Sequence, residues 1–101
     1  MHYLLIYHLS PEYLERRSKF RDEHLALAWK AHENGDLVVG GALQEPADQA
    51  FLLFEGTSPD AAEEFAKTDP YVKNGLIEKW EVRPWMTVVG KMASSPVKPA
   101  E

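Results

Sequence analysis

The chain has 101 residues, no cysteine, and 11 Lys and Arg against 16 Asp and Glu, giving a net charge of −5. This size allows one domain with a single modest core, and the lack of cysteine excludes disulfides, a thiolate nucleophile and a Cys-based zinc site. The acids are scattered rather than blocked, which argues against nucleic acid as a partner because phosphate binding needs a basic face.

Met1 to Leu9 has no basic start and only a short apolar run, so it reads as a strand rather than a signal peptide. No apolar stretch approaches the ~20 residues needed to span a bilayer. A cytoplasmic protein with no membrane partner is the expectation. Tyr3 to Tyr7 is a compact run of strand formers. Ser10-Pro11-Glu12 then offers an N-cap, a proline at the first helical position and an acid in the first turn. A helix is predicted from Pro11 to about Asn34, stopped by Gly35. Leu37-Val38-Val39 opens a second strand that continues through Gly40-Gly41 to Leu43, and the polar stretch Gln44 to Gln49 makes a hairpin loop.

Phe51 to Phe54 is a third strand. Ser58-Pro59-Asp60 repeats the earlier helix-start signal, with Ala61 to Lys67 following as a helix. Asp69-Pro70 caps one more short turn that Gly75 closes. The last strand covers Ile77 to Met86, with Trp80 and Val82 on one face and Lys79, Glu81 and Arg83 on the other. A domain spanning residues 1–92 is expected, followed by a flexible tail over 93–101, whose Pro96 and Pro99 leave little to bury.

The order β-α-β-β-α-β predicts an α+β, ferredoxin-like fold: a four-stranded antiparallel sheet with two helices on one face. The first and third strands are apolar at successive positions, so both faces of the sheet centre need cover. Two helices cover only one. A homodimer joined through the sheet faces is the expected solution.

Arg17, Arg21, His24 and Ala28 follow at spacings of four, three and four and share a helix stripe. The arginines favour an anionic ligand, or else form a solvated stripe that pairs with nearby acids. A histidine titrates near neutral pH, and a carboxylate partner fixes its tautomer. His24 and Asp69 are therefore the candidate catalytic pair if the fold joins them, although Asp69 before Pro70 is equally a natural N-cap. The two roles coexist on one carboxylate, which has two oxygens and roughly four acceptor sites. Tyr7 and Tyr71 are candidate substrate contacts beside Arg21 and Arg17; for Tyr7, plain packing in an apolar strand is the rival reading.

The histidines do not assemble a metal site. His24 and His32 are eight apart on the helix, about 12 Å along its axis, and His2 and His8 are roughly 20 Å apart on a strand. No metal and no cofactor are expected. Gly40-Gly41 permits a ligand to approach the backbone but reads more simply as a strand kink, and no phosphate-loop pattern is present. Trp80, Trp85, Phe51 and Phe54 read as core or dimer-interface residues.

Taken together, Arg21-x-x-His24, Leu37 to Gly41, Asp69-Pro70-Tyr71-Val72 with Gly75, and Val82-x-Pro84-Trp85 resemble the YciI-like (YCII-related) family from Tyr3 to about Val89. The resemblance implies a dimeric α/β barrel similar in fold to muconolactone isomerase, with the family's active-site histidine and aspartate falling on His24 and Asp69. One relative in aromatic degradation removes chloride from a chlorinated hydroxyquinol, an activity that a shared fold does not by itself transfer. The chain departs from the family pattern at Ala42, where a proline commonly follows the glycine.

Three functions follow. The first is a cofactor-independent isomerase, lyase or dehydrohalogenase acting on a small anionic or phenolic molecule. In it His24 serves as acid or base, Asp69 orients the imidazole, and Arg21 with Arg17 holds the negative charge. The second is a module that binds a small acid without turnover. The third is a structural dimerisation domain, which predicts no pocket near His24 and an Asp69 carboxylate spent on capping.

Overall fold

The computed structural model describes residues 1–100. Its elements run β1 (His2–Leu9), α1 (Tyr13–Glu33), β2 (Leu37–Ala42), β3 (Gln49–Glu55), α2 (Asp60–Thr68), α3 (Pro70–Lys73) and β4 (Ile77–Trp85). The four strands form one antiparallel sheet in the order β2-β3-β1-β4, the ferredoxin-like arrangement.

The Ser-Pro-acid signals do not fix the helix starts to the residue: α1 begins at Tyr13, two residues after the expected Pro11, and α2 at Asp60, one residue before the expected Ala61. Ser10 Oγ accepts from the Glu12 amide at 3.2 Å, and the Ser10 carbonyl accepts from Tyr13 N at 3.1 Å. Pro11 and Glu12 are thus used in a turn, and α1 starts at Tyr13 with no side-chain cap. Ser58 Oγ accepts from the amide of Asp60, the first residue of α2, at 3.3 Å. The serines order the turn at each helix entry.

Gly35 and Gly75 end α1 and α3 with φ of +85° and +77°, a conformation that costs any side chain. Asp69 caps α3 by accepting from Tyr71 N at 3.0 Å.

Strand register divides the sheet into two faces. Tyr3, Leu5 and Tyr7 lie opposite Phe54, Leu52 and Ala50 on β3, and opposite Pro84, Val82 and Trp80 on β4. This is the face the helices cover: its β1 and β3 residues join Phe65, Ala66, Tyr71 and Leu76 in one buried core, and Trp80 and Val82 pack against it. The other face carries Leu4 opposite Leu53 and Ile6 opposite Phe51, with Lys79, Glu81 and Arg83 along the β4 edge. Phe54 is therefore core, Trp80 packs against that core, and Trp85 stands exposed on the open face.

Past β4 the chain folds back. Ser95 N donates to Thr87 O at 3.0 Å and Val97 N to Val88 O at 2.9 Å, while Thr87 Oγ1 lies 2.6 Å from His2 Nδ1. No helix among the described residues is long and apolar enough to cross a membrane.

Replacing Gly75 with Ala forces a side chain into the left-handed turn between α3 and β4. The Gly75→Ala protein should lose about 1–2 kcal/mol in urea denaturation, with no change in the sheet's circular dichroism.

Candidate active site

A cavity of about 510 Å³ opens between α1 and the β1-β3-β2 side of the sheet. Small residues make it. In the row where Tyr7 pairs with Ala50 and Ala50 with Ala42, two of the three side chains are single methyl groups. In the next row, Leu5 to Leu52 to Gly40, the β2 position has no side chain at all. A Cβ on Gly40 would stand 3.2 Å from Leu52 Cγ, tighter than ordinary van der Waals contact. Helix α1 brings Ala28 over this floor, so a hollow remains where larger residues would have filled the core. The expected kink at Gly40-Gly41 falls earlier. The register shift lies between Leu37 and Val39, while both glycines stay paired with β3 and line the cavity.

His24 projects from the middle of α1 into the wall of this cavity, with its side chain 15% exposed. Its Nδ1 lies 2.9 Å from Asp69 Oδ1, and Asp69 has 0% exposure. A carboxylate accepts, so Nδ1 carries the proton and Nε2 is the ring's remaining basic atom. Asp69 is itself immobilised. Its Oδ1 also accepts from Tyr71 N at 3.0 Å, and its Oδ2 accepts from the Tyr7 hydroxyl at 2.7 Å. The aspartate thus serves as the α3 cap and as the partner of His24 at once, using separate lone pairs. The imidazole is fixed from the side as well: Tyr71 stacks on it at 3.9 Å and 9°, and Phe65 meets it edge-on at 6.3 Å.

The six residues singled out from the sequence converge. Tyr7, Arg17, Arg21, His24 and Tyr71 all line the cavity, and Asp69 sits behind His24 and Tyr7. The Tyr7 ring faces the cavity, but its hydroxyl proton is committed to Asp69. The acids expected to pair with the arginines do not. Glu12 reaches Arg16 at 3.9 Å, while Arg17 stacks 5.6 Å from the Tyr13 ring centre, and neither Arg17 nor Arg21 has a salt bridge among the described residues. Burial pushes the Tyr71 phenol above its ordinary value, with Tyr13 and Asp69 adding to the effect, while the Arg21 and Arg17 guanidiniums oppose it. Two cations therefore face the cavity beside the His24–Tyr71 stack.

Phe65 and His32 were not singled out as site residues. For His32 the signal was present, since the spacing Arg17, Arg21, His24, Ala28 continues to it at one further step of four. Phe65 carried no such signal, because only the packing of α2 shows that its ring meets His24.

Burial first, then the Asp69 charge and the hydrogen bond to it, hold the Tyr7 phenol far above its ordinary value of 10.0. The folded chain keeps this proton where the unfolded chain releases it. Its contribution to stability is complete below about pH 10 and is lost as pH rises beyond that. Urea titrations between about pH 9 and 11 should show stability falling with pH, and falling less steeply in Tyr7→Phe. Asp69→Ala leaves three buried donors without an acceptor and should cost about 3 kcal/mol or more. Asp69→Asn keeps the cap and should cost clearly less in the same assay.

The family model of the YCII-related domain matches residues 1–86. Protein YciI of Escherichia coli O6:H1 is 32% identical across 74% of this chain and 86% of its own length, and Protein YciI of Shigella flexneri matches to the same extent. Among solved structures, the 5-chloro-2-hydroxyhydroquinone dehydrochlorinase of Burkholderia phenoliruptrix AC1100, in complex with 2,5-dihydroxybenzoquinone, superposes with a TM-score of 0.72 at 25% identity. The match covers 93% of this chain and 100% of that one. A NIPSNAP family protein of Agrobacterium tumefaciens shares the fold at a TM-score of 0.55 and 18% identity, over 92% and 95% of the two chains.

Proposed function

This chain belongs to the YCII-related family, and from that premise we propose that it is a cofactor-independent enzyme that uses His24 and Asp69 for acid/base chemistry on a small anionic or phenolic metabolite. The observation that carries the reading is the 2.9 Å contact between His24 Nδ1 and Asp69 Oδ1 at the wall of a cavity of about 510 Å³. Such a volume lies in the range of small-molecule sites.

In this reading Nε2 of His24 takes a proton from carbon or oxygen next to a carbonyl or enol. In an isomerisation it returns that proton elsewhere on the same molecule. In an elimination the electron pair left behind expels the leaving group (chloride for a dehydrohalogenase) while the imidazolium passes its proton to water. Asp69 touches no substrate. It holds the imidazole in the tautomer that leaves Nε2 basic and steadies the imidazolium that forms. The Tyr7 hydroxyl and the Tyr71 amide fix the carboxylate, so the pair does not have to reorganise during the transfer. Arg21 and Arg17 draw the substrate's carboxylate or phenolate to the His24 end. Proton transfer of this kind suffices for an isomerase, a lyase or a dehydrohalogenase. The dehydrochlorinase activity and quinone complex of the Burkholderia neighbour support the last of these and the phenolic side of the substrate class.

The cap bond from Tyr71 N to Asp69 favours a purely structural role for that residue. A scaffold alone, however, has no use for a hollow beside His24, so the cavity favours a ligand. Binding without turnover is separated from catalysis by incubating the protein with phenols and small carboxylates and following product by NMR. On whichever substrate is turned over, His24→Gln should lower kcat by about 10²- to 10⁴-fold while the melting curve stays near that of the wild type. Full activity in that variant sinks the mechanism. Arg21→Gln should instead raise KM mainly.

The same reading includes a homodimer. Leu4, Ile6 and Phe51, half-buried around the buried Leu53, give the helix-free face an apolar centre, and a second copy of that sheet would cover it symmetrically. Sedimentation should report a dimer for the wild type and a monomer for Phe51→Lys. A wild-type monomer at all concentrations would rule this part out.

A further inference from the structure

We propose that the cleft takes an elongated acid with a polar group at each end, and that His32 is the specificity residue receiving the end far from the arginines. The proposal rests on the cleft being the ligand site and adds which class of molecule fills it.

His24 and His32 line the same cavity and lie about 12 Å apart along α1. Their rings are held alike. Nδ1 of His24 is fixed on Asp69 Oδ1 at 2.9 Å, and Nδ1 of His32 on the Leu37 carbonyl at 2.7 Å. Both partners are acceptors, so each Nδ1 carries a proton and each Nε2 is left for something else. Trp29 packs edge-on against the His32 ring, 5.5 Å away at 90°, and steadies it while remaining 62% exposed at the cleft mouth.

Strand β2 runs back along α1, so Leu37 and Val38 flank the His32 end while Ala42 lies in the row of Tyr7. Arg17 and Arg21 are the only permanently charged residues lining the cleft among the described residues. From His24 toward His32 the wall is Ala28, Leu52, Gly40 and Val38, which offers no side-chain polar partner. The chemistry therefore runs cation, acid/base group, apolar stretch, then a hydrogen-bonding imidazole. A small acid held at Arg21 and His24 leaves the far half unfilled. A longer acid with an apolar body and a terminal hydroxyl or carbonyl meets every group in turn.

Three probes test this by isothermal titration: benzoate, biphenyl-4-carboxylate and 4′-hydroxybiphenyl-4-carboxylate. The proteins are the wild type, Arg21→Gln and His32→Asn, whose side-chain amide keeps a donor for the Leu37 carbonyl but has nothing in place of Nε2. In the wild type the terminal hydroxyl should tighten Kd about fivefold relative to the unsubstituted biphenyl acid, the effect of one hydrogen bond. His32→Asn should erase that difference and leave benzoate unchanged, and Arg21→Gln should weaken all three. If the two biphenyl acids bind the wild type equally, or keep their difference in His32→Asn, the role of His32 is overturned while Arg21-dependent binding of benzoate keeps the ligand site standing. If none of the three shifts the His24 ring resonances, the site and the inference built on it fail together. The hydroxyl comparison in the wild type needs no variant, so it decides the question even if His32→Asn folds poorly.

Discussion

One buried carboxylate holds the candidate site of this molecule in place. Asp69 is fully enclosed and accepts from three donors that come from three elements: His24 on α1, Tyr7 on β1 and the backbone of Tyr71 in α3. An acidic group without partners in that position would be strongly unfavourable. Its presence therefore demands that helix, strand and turn meet in one arrangement. The group that closes the fold locally is the group that orients the histidine, so order in the site follows from the stability of the core.

Around that anchor the site is made by subtraction as much as by placement. Ala28, Gly40, Ala42 and Ala50 are too small to fill the space between α1 and the sheet, and the neighbouring core is otherwise packed with Tyr, Leu and Phe. The empty volume survives because Tyr71 and Phe65 wedge His24 from two sides and keep the imidazole from collapsing into it. Arg17 and Arg21 then give the hollow a positive end in a chain whose net charge is −5. An anion thus meets locally favourable charge on a surface that otherwise repels it.

The ferredoxin-like sheet is shared with a dehydrochlorinase and with a NIPSNAP family protein, and a common scaffold does not carry a common reaction. In this chain the lining of the cleft runs from guanidinium through imidazole to apolar wall and a second imidazole.

The order of elements and the two faces of the last strand were legible in the sequence, because alternation, proline and glycine act over a few residues. So was the stripe Arg17, Arg21, His24, whose spacing alone puts it on one side of a helix. Helix starts were misplaced by one or two residues, since Ser10 and Ser58 bond into the entry turns, and only backbone geometry distinguishes that from a cap. The pairing of His24 with Asp69, the turning of the Tyr7 hydroxyl to the same carboxylate, and the stacking of Tyr71 on the imidazole were decided by tertiary structure. Those contacts join residues far apart along the chain. Such separations leave no periodic trace, and the residues meet only once the sheet and helices have packed.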